Sequence, residues 1–411
     1  MNYKFIPYLS LFAAGLIASP VTAQTQQTLT AQLLVPTTSS PSSVSHHDTI
    51  TRRFTPRPNG KNVRLDYSVL DAAFSGTVIR FGPSLRRRAS RPEAPTGSRF
   101  VTGHKSAYRL EGSRISFSFL HNDYLDELVA YRKDLERIAT QINLTAMPKS
   151  EQLAFWFNIH NVAIIEQITK KYPVTRPSKI KINGIPLDEA KVLTIKGVAL
   201  SPRDIRQKIV FPHWKNPSVI YGFFHGDIGS PQLQNYAYTR ANLNNTLQIQ
   251  ATEFVNSLRG FNKSRKNRRI SKLYEETTPF YFPDFENDMQ RHLLNFARDN
   301  VAEDIRSTLP FAYDRYDNVV ADLVGGSRPR IATANVINGN TGVPRDFTSI
   351  PPEVRRLLEE LNTKADALKR RNLIGSGTVT IEDIETVDPD APETYDPNVD
   401  PASALYVSPD N

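Results

Sequence analysis

Between Glu151 and about Lys170 the apolar residues fall on nearly every face of a helical period, through Leu153, Phe155, Trp156, Phe157, Ile159, Val162, Ile164, Ile165 and Ile168. A helix apolar all round has no face to turn to water, so this one is predicted to be the buried centre of its domain. Ser150 reads as its cap and Pro173 as its stop. The preceding run, from Asp123 to about Thr140 behind Asn122, is one-faced: Tyr124, Leu125, Leu128, Leu135 and Ile138 make a single stripe. A shorter patch covers Tyr67 to Phe74. Glu353 to Arg371 is amphipathic, with Val354, Leu357, Leu358, Leu361, Ala365 and Leu368 on one side, and is expected to pack on the parent domain.

Elsewhere the period shortens to two. Ile115, Phe117 and Phe119 alternate with serines in a strand-like segment. Lys179 to Ile182, the Asn183-Gly184 turn and Val192 to Ile195 predict β-structure with a hairpin. Ser201 and Pro202 suit the cap and first position of a further helix. Val219 to Phe224 is an unbroken apolar run, expected as a buried strand. Beyond it come a helix from about Ala241 to Leu258, a strand-like Ile270 to Tyr274 and a helix from Glu286 to Asn300. These elements predict an α+β single domain in which the buried central helix packs on a short mixed or antiparallel sheet.

The ends of the chain change the picture. Lys4, an apolar run from Leu9 to Ile17 and Ser19 to Ala23 have the form of a secretory signal cut after Ala23, which implies a periplasmic or secreted protein with no transmembrane anchor in its mature form. The expected organisation is then a signal at 1–23, a flexible leader at 24–60, the domain at 61–325, a linker at 326–350, the amphipathic helix at 351–372 and a disordered acidic tail at 373–411. The net charge is +9, but Ile374 to Asn411 holds nine acidic residues and no Lys or Arg, which leaves the rest of the precursor at +18. Arg86 to Arg91 and Lys263 to Lys272 are basic runs. Without aromatic interleaving they read as solvated loops, the second as an exposed hairpin tip, and nucleic acid is not expected as a partner.

The 411 residues include no cysteine, so any chemistry must use oxygen or nitrogen groups. The densest set of such groups is the Gly-rich turn after Phe224, which holds His225, Gly226, Asp227 and Ser230. None of the eight histidines has His-x-x-x-His or His-Glu-x-x-His spacing, so no metal set or cofactor is assigned.

Ala154-Phe-Trp156-Phe-Asn158-Ile-His160-Asn161 resembles the signature helix of the DUF547 family, a domain of unknown function, with His160 where that family usually has Tyr. Gly197 to Ile205, Phe282-Pro-Asp284-Phe285 and Tyr313 to Asn318 are similar to further family segments, in one order over roughly Val63 to Leu323. The family's Asn-Cys-Gly-x-x-Ser-Cys-Pro falls on Phe224 to Pro231, so His225 and Ser230 stand at its two cysteine positions. Its Asp-Ile-Glu-His reads here Asp204-Ile205-Arg206-Gln207, so its histidine position holds Gln207. By analogy the resemblance implies a papain- or transglutaminase-like fold and Cys–His hydrolase or acyl-transferase chemistry, in a degenerate member lacking both partners.

Three readings of the site stand side by side. One is a non-catalytic cleft formed by Trp156, Asn158, His160, Asn161, Asp204, Gln207 and Gly226, binding an unknown envelope protein; attraction of an anionic polymer or membrane surface is the independent function open to the Lys263 to Lys272 run. A second is a weak hydrolase or acyl-transferase acting on peptide or envelope material, with Ser230 as nucleophile, His225 as base and Asp227 orienting it. The third is a metal held by His160, His225 and Asp227.

Overall fold

The computed structural model describes residues 46–60, 63–92, 103–120, 122–314, 316–328 and 351–374. The segment expected as a secretory signal, most of the expected 326–350 linker and the expected acidic tail beyond Ile374 lie outside the described residues.

The predicted central helix runs Lys149–Lys171 and is buried from Glu151 to Ile168. Full burial is tolerable because its polar side chains each have a partner, although Gln152 Oε1 is left without one among the described residues. Glu166 binds Arg132 and Lys170. Gln152 donates to the carbonyls of Thr145 and Met147, and Glu151 accepts from the Leu65 amide. No side chain caps the start: Pro148 precedes Lys149, so Ser150 lies inside the first turn. The helix Asn122–Gln141 packs alongside, matching the one-faced prediction.

The α+β class is as expected, with the strands divided among four small sheets. Val78–Arg80 pairs antiparallel with Ser113–Ile115. Lys181–Ile182 and Ile185–Pro186 form the hairpin at Asn183-Gly184, and Leu193–Ile195 pairs with Val198–Leu200. Phe261–Lys263 and Arg268–Ile270 make a hairpin to which Phe311–Tyr313 adds in parallel.

Several expectations are corrected. The segment expected as a flexible leader contains the helix His46–Phe54, whose Ile50 and Phe54 are buried; Phe54 meets the ring of Trp156 edge-on at 5.3 Å. Phe117–Phe119 is a short 3₁₀ turn after the strand. Val219 to Phe224 is no strand: Pro217–Gly222 is 3₁₀-helical, started by Pro217 and by Asn216, which accepts from the Ser218 amide at 2.9 Å. A short, fully buried apolar run looks alike in either conformation. The Glu286 to Asn300 helix breaks into Phe285–Leu294 and Asp299–Ile305, because Asn256 clamps the junction through Phe296 O and the Arg298 amide, both at 2.8 Å. Ile270 to Tyr274 divides between the end of a strand and the start of the helix Leu273–Tyr281.

Two large cores result. One surrounds the central helix. The other is aromatic, built from Tyr221, Phe254, Tyr274 and Phe296 around the buried His292, which lies 2.8 Å from the Tyr221 hydroxyl. The amphipathic helix, Pro352–Arg370, does pack on the parent domain: Leu357 is buried with Phe81 and Val324, and Lys364 donates to Phe81 O and Leu110 O. Among the described residues no helix is long and apolar enough to cross a membrane.

Candidate functional site

Ser201 and Asp204 form a reciprocal capping box with Pro202 at the first helical position. The helix then widens to i→i+5 turns over Ile205–Val210. Wide turns of this kind often mark functional positions. Here they carry Arg206 and Gln207, which line a cavity of about 570 Å³ together with Asp188, His225, Asp227, Glu276 and Tyr316. Positions 207 and 225, where the resembled motifs carry His and Cys, thus face one space.

The centre of this site is Arg206. Its guanidinium is almost wholly buried and holds Asp188 through two bonds of 2.8 and 3.0 Å, Glu276 at 3.1 Å and the Nε2 of His160 at 3.1 Å. Burial opposes the charge of Arg206, but Glu276 and Asp188 outweigh it and keep the group firmly protonated. Burial would likewise raise Asp188; Arg206 overcomes it and holds this carboxyl well below the usual range. Gln207 donates to Glu276 at 3.1 Å.

His225 is half-buried, and neither ring nitrogen has a hydrogen-bond partner among the described residues. Desolvation, then the positive charge of Arg206, pushes its pKa down to about 3, so the imidazole is neutral at ordinary pH. Asp227 moves the other way, to about 8, chiefly through burial. Its Oδ1 accepts from the Tyr316 hydroxyl at 2.7 Å and the Ser230 amide at 3.1 Å, while Oδ2 has no partner among the described residues. The cavity therefore offers a neutral imidazole beside a carboxylic acid mostly protonated at neutral pH.

Ser230 does not join His225. It is buried, outside the residues lining the cavity, and its hydroxyl donates to the backbone carbonyl of Asp227 at 2.7 Å. Arg259 holds the same turn from beneath through Ile228 O and Ser230 O. A nucleophilic serine needs a base that takes its proton, and this geometry provides none. Gly226 has φ +87°, and a Cβ there would lie 2.2 Å from Ile168 Cδ1, so the turn can press on the central helix only with glycine.

The other predicted cleft residues serve the fold. Both amide groups of Asn158 bind the Tyr238 backbone at 2.8 and 2.9 Å. Asn161 donates to Gly222 O at 3.0 Å and accepts from the Phe224 amide at 2.9 Å, tying the helix to the segment that leads into the turn. Trp156 belongs to the core, and Asp204 to its cap and to Lys191 and Lys208. His160 is fully buried, its ring 6.2 Å from that of His225, and the adjoining Arg206 cation opposes a metal there. Among the described residues no group of three or more His, Asp or Glu is placed to hold a metal ion.

Sequence reasoning missed Asp188, Arg206, Glu276 and Tyr316. Tyr316 had a signal, since it lies in the Tyr313 to Asn318 motif, and Arg206 marks the departure from Asp-Ile-Glu-His. Asp188 and Glu276 had none, being 18 and 70 positions from Arg206. The basic runs are also more structured than expected. Arg86 reaches under the hairpin to Phe261 O at 3.1 Å, and Lys263, Arg268, Arg269 and Lys272 each have a carboxylate partner.

No curated protein and no solved structure matches this chain. The model of DUF547, a protein family of unknown function, matches residues 144–255, about a quarter of the chain, and leaves the Phe282 to Phe285 and Tyr313 to Asn318 segments outside. The part that holds the central helix, the widened turn and His225 is therefore the part that matches the DUF547 model, and it carries no cysteine.

Proposed function

We propose that this protein is an exported, non-catalytic binding protein of the cell envelope, and that its ligand enters the cavity at His225. The observation that carries this reading is the fate of two positions that line the same cavity. Where the resembled motifs carry Cys and His, this chain has His225 and Gln207, and Gln207 is bonded to Glu276. Neither supplies the thiol of the resembled motif. What remains is a recognition surface: a neutral imidazole, which accepts at one nitrogen and donates at the other, beside the protonated carboxyl of Asp227. An uncharged amide, as in peptide material, matches both groups, whereas a free carboxylate competes with Asp188 and Glu276 for Arg206.

Calorimetric titration of the purified chain with N-acetylated dipeptide amides tests this, comparing native protein with His225→Ala. Saturable binding that weakens at least tenfold in the variant is expected. Serine-reactive fluorophosphonate labelling that vanishes in Ser230→Ala would overturn the non-catalytic reading. Export is checked by fractionating cells and sequencing the mature N-terminus, which is expected at Gln24.

A further inference from the structure

A second cavity, of about 790 Å³, lies on the other side of Tyr316. Its walls include Tyr108, Tyr313 and Tyr316, with Arg88, Asn267 and Arg269 among the polar groups. All of these residues fall outside 144–255, so the family match assigns the cavity nothing. We propose that it is a binding site for an acidic sugar: a hydroxyl-rich ring or short chain of rings bearing carboxylates.

The tyrosines come first in the argument, because two of them are held as fixed walls. The Tyr313 hydroxyl is engaged with Thr278 at 2.9 Å and its ring packs on Phe285 at 5.6 Å; the Tyr316 hydroxyl is spent on Asp227 at 2.7 Å. With both hydroxyls bonded to residues outside the cavity lining, the rings are what these side chains leave to line it. Tyr313 also ends the strand Phe311–Tyr313, and the next amide, that of Asp314, donates to Ile270 O at 2.7 Å, so the wall is built on a sheet. Aromatic faces of this kind pack against the C–H faces of sugar rings, which carry their hydroxyls at the rim.

Rim hydroxyls need flat polar partners. The Asn267 side-chain amide has none among the described residues, so both its donors and its acceptor are available. Two guanidinium groups supply the charge. Arg88 lies 5.9 Å over the Tyr108 ring and has no carboxylate partner among the described residues, and Arg269 is only loosely paired with Asp314 at 3.6 Å. A carboxylate suits this fork geometry. Two aspartates, Asp314 and Asp317, stand in the same lining. They repel the double charge of a phosphate more than the single charge of each carboxylate, which favours hydroxyl-rich rings bearing carboxylates over a nucleotide.

Calorimetry on the full chain tests the proposal with tetragalacturonate as probe, against neutral cellotetraose, tetraglutamate and AMP. Tetragalacturonate is expected to bind saturably and at least tenfold more tightly than each of the other three. The Arg88→Ala/Arg269→Ala double variant should weaken it at least tenfold and Asn267→Ala severalfold, with circular dichroism unchanged, since both arginines are exposed. His225→Ala should leave it unaltered, which separates this site from the neighbouring cavity. Absence of tetragalacturonate binding, equal binding of any of the three controls, or full affinity in the double variant would overturn it.

Discussion

The guanidinium of Arg206 lies 3.1 Å from Nε2 of His160. A guanidinium only donates, so His160 Nε2 must accept, and its proton belongs on Nδ1, which donates to Asn161 Oδ1 at 3.0 Å. The same oxygen receives the Phe224 amide. One polar chain therefore runs from the cavity wall through the central helix to the residue before His225, and the arginine sets the direction of the two bonds made by His160. Burial and Arg206 together hold His160 well below its usual pKa, which keeps the ring neutral so that Nε2 can accept.

Removing the arginine should be costly. Arg206→Met leaves Asp188 and Glu276 with a lost buried partner and is expected to lower the unfolding free energy by about 3–5 kcal/mol. Urea titration measures this. Adding Asp188→Asn and Glu276→Gln to the variant should recover much of the loss, since the uncompensated charges are then gone.

Asn161→Leu removes the clamp on Gly222 O and the Phe224 amide, both buried. A loss of about 2–4 kcal/mol is expected from the two unpaired backbone groups and the orphaned His160 proton. Hydrogen exchange at the Phe224 amide should accelerate well beyond that of amides in the Lys149–Lys171 helix; equal protection would remove the argument that Asn161 holds this segment.

Asp227 predicts a pH dependence. Its folded pKa of about 8 lies above the value of about 3.9 for an unfolded chain, so between these limits the folded state binds the extra proton. The stability from this group is fully present below about pH 4 and is lost as the pH rises through about 8. Asp227→Asn keeps the acceptor for Tyr316 and Ser230 but cannot ionise. The difference in melting temperature between native and variant should therefore move in the variant's favour from pH 5 to pH 9; a constant difference would contradict the raised pKa.

Two glycine substitutions separate backbone strain from crowding. Gly197 has φ +75° with open space around it, so Gly197→Ala should cost only about 1 kcal/mol. At Gly226 a methyl adds a collision with Ile168 to the same strain, and about 2–4 kcal/mol is expected. Parallel thermal melts compare them, and equal losses would mean that the helix yields to the turn.

The buried helix was legible because it is long and apolar on all sides, and the Asn183-Gly184 hairpin and the Ser201-Pro202 start because their turn and cap chemistry is local. Pro217–Gly222 was misread because burial erases the periodicity that distinguishes strand from helix. The break at Arg298 is imposed by Asn256, 42 positions away, and no local pattern announces it. The site divides in the same way. His225, Gly226 and Asp227 lie in one conspicuous turn, but Arg206, which adds to the burial that keeps His225 neutral, is held by Asp188 and Glu276, acids indistinguishable in sequence from ordinary surface ones.

Lys364, on the last described helix, donates to Phe81 O, a bond between residues 283 positions apart. A contact so distant closes a very large loop, whose entropic cost must be met by structure already in place. Docking of Pro352–Arg370 is thus expected late in folding, after the segments around Phe81 and Leu110 have met. Until that helix docks, the surface beneath Leu357 stays open, so its arrival is what closes the last apolar face of the fold.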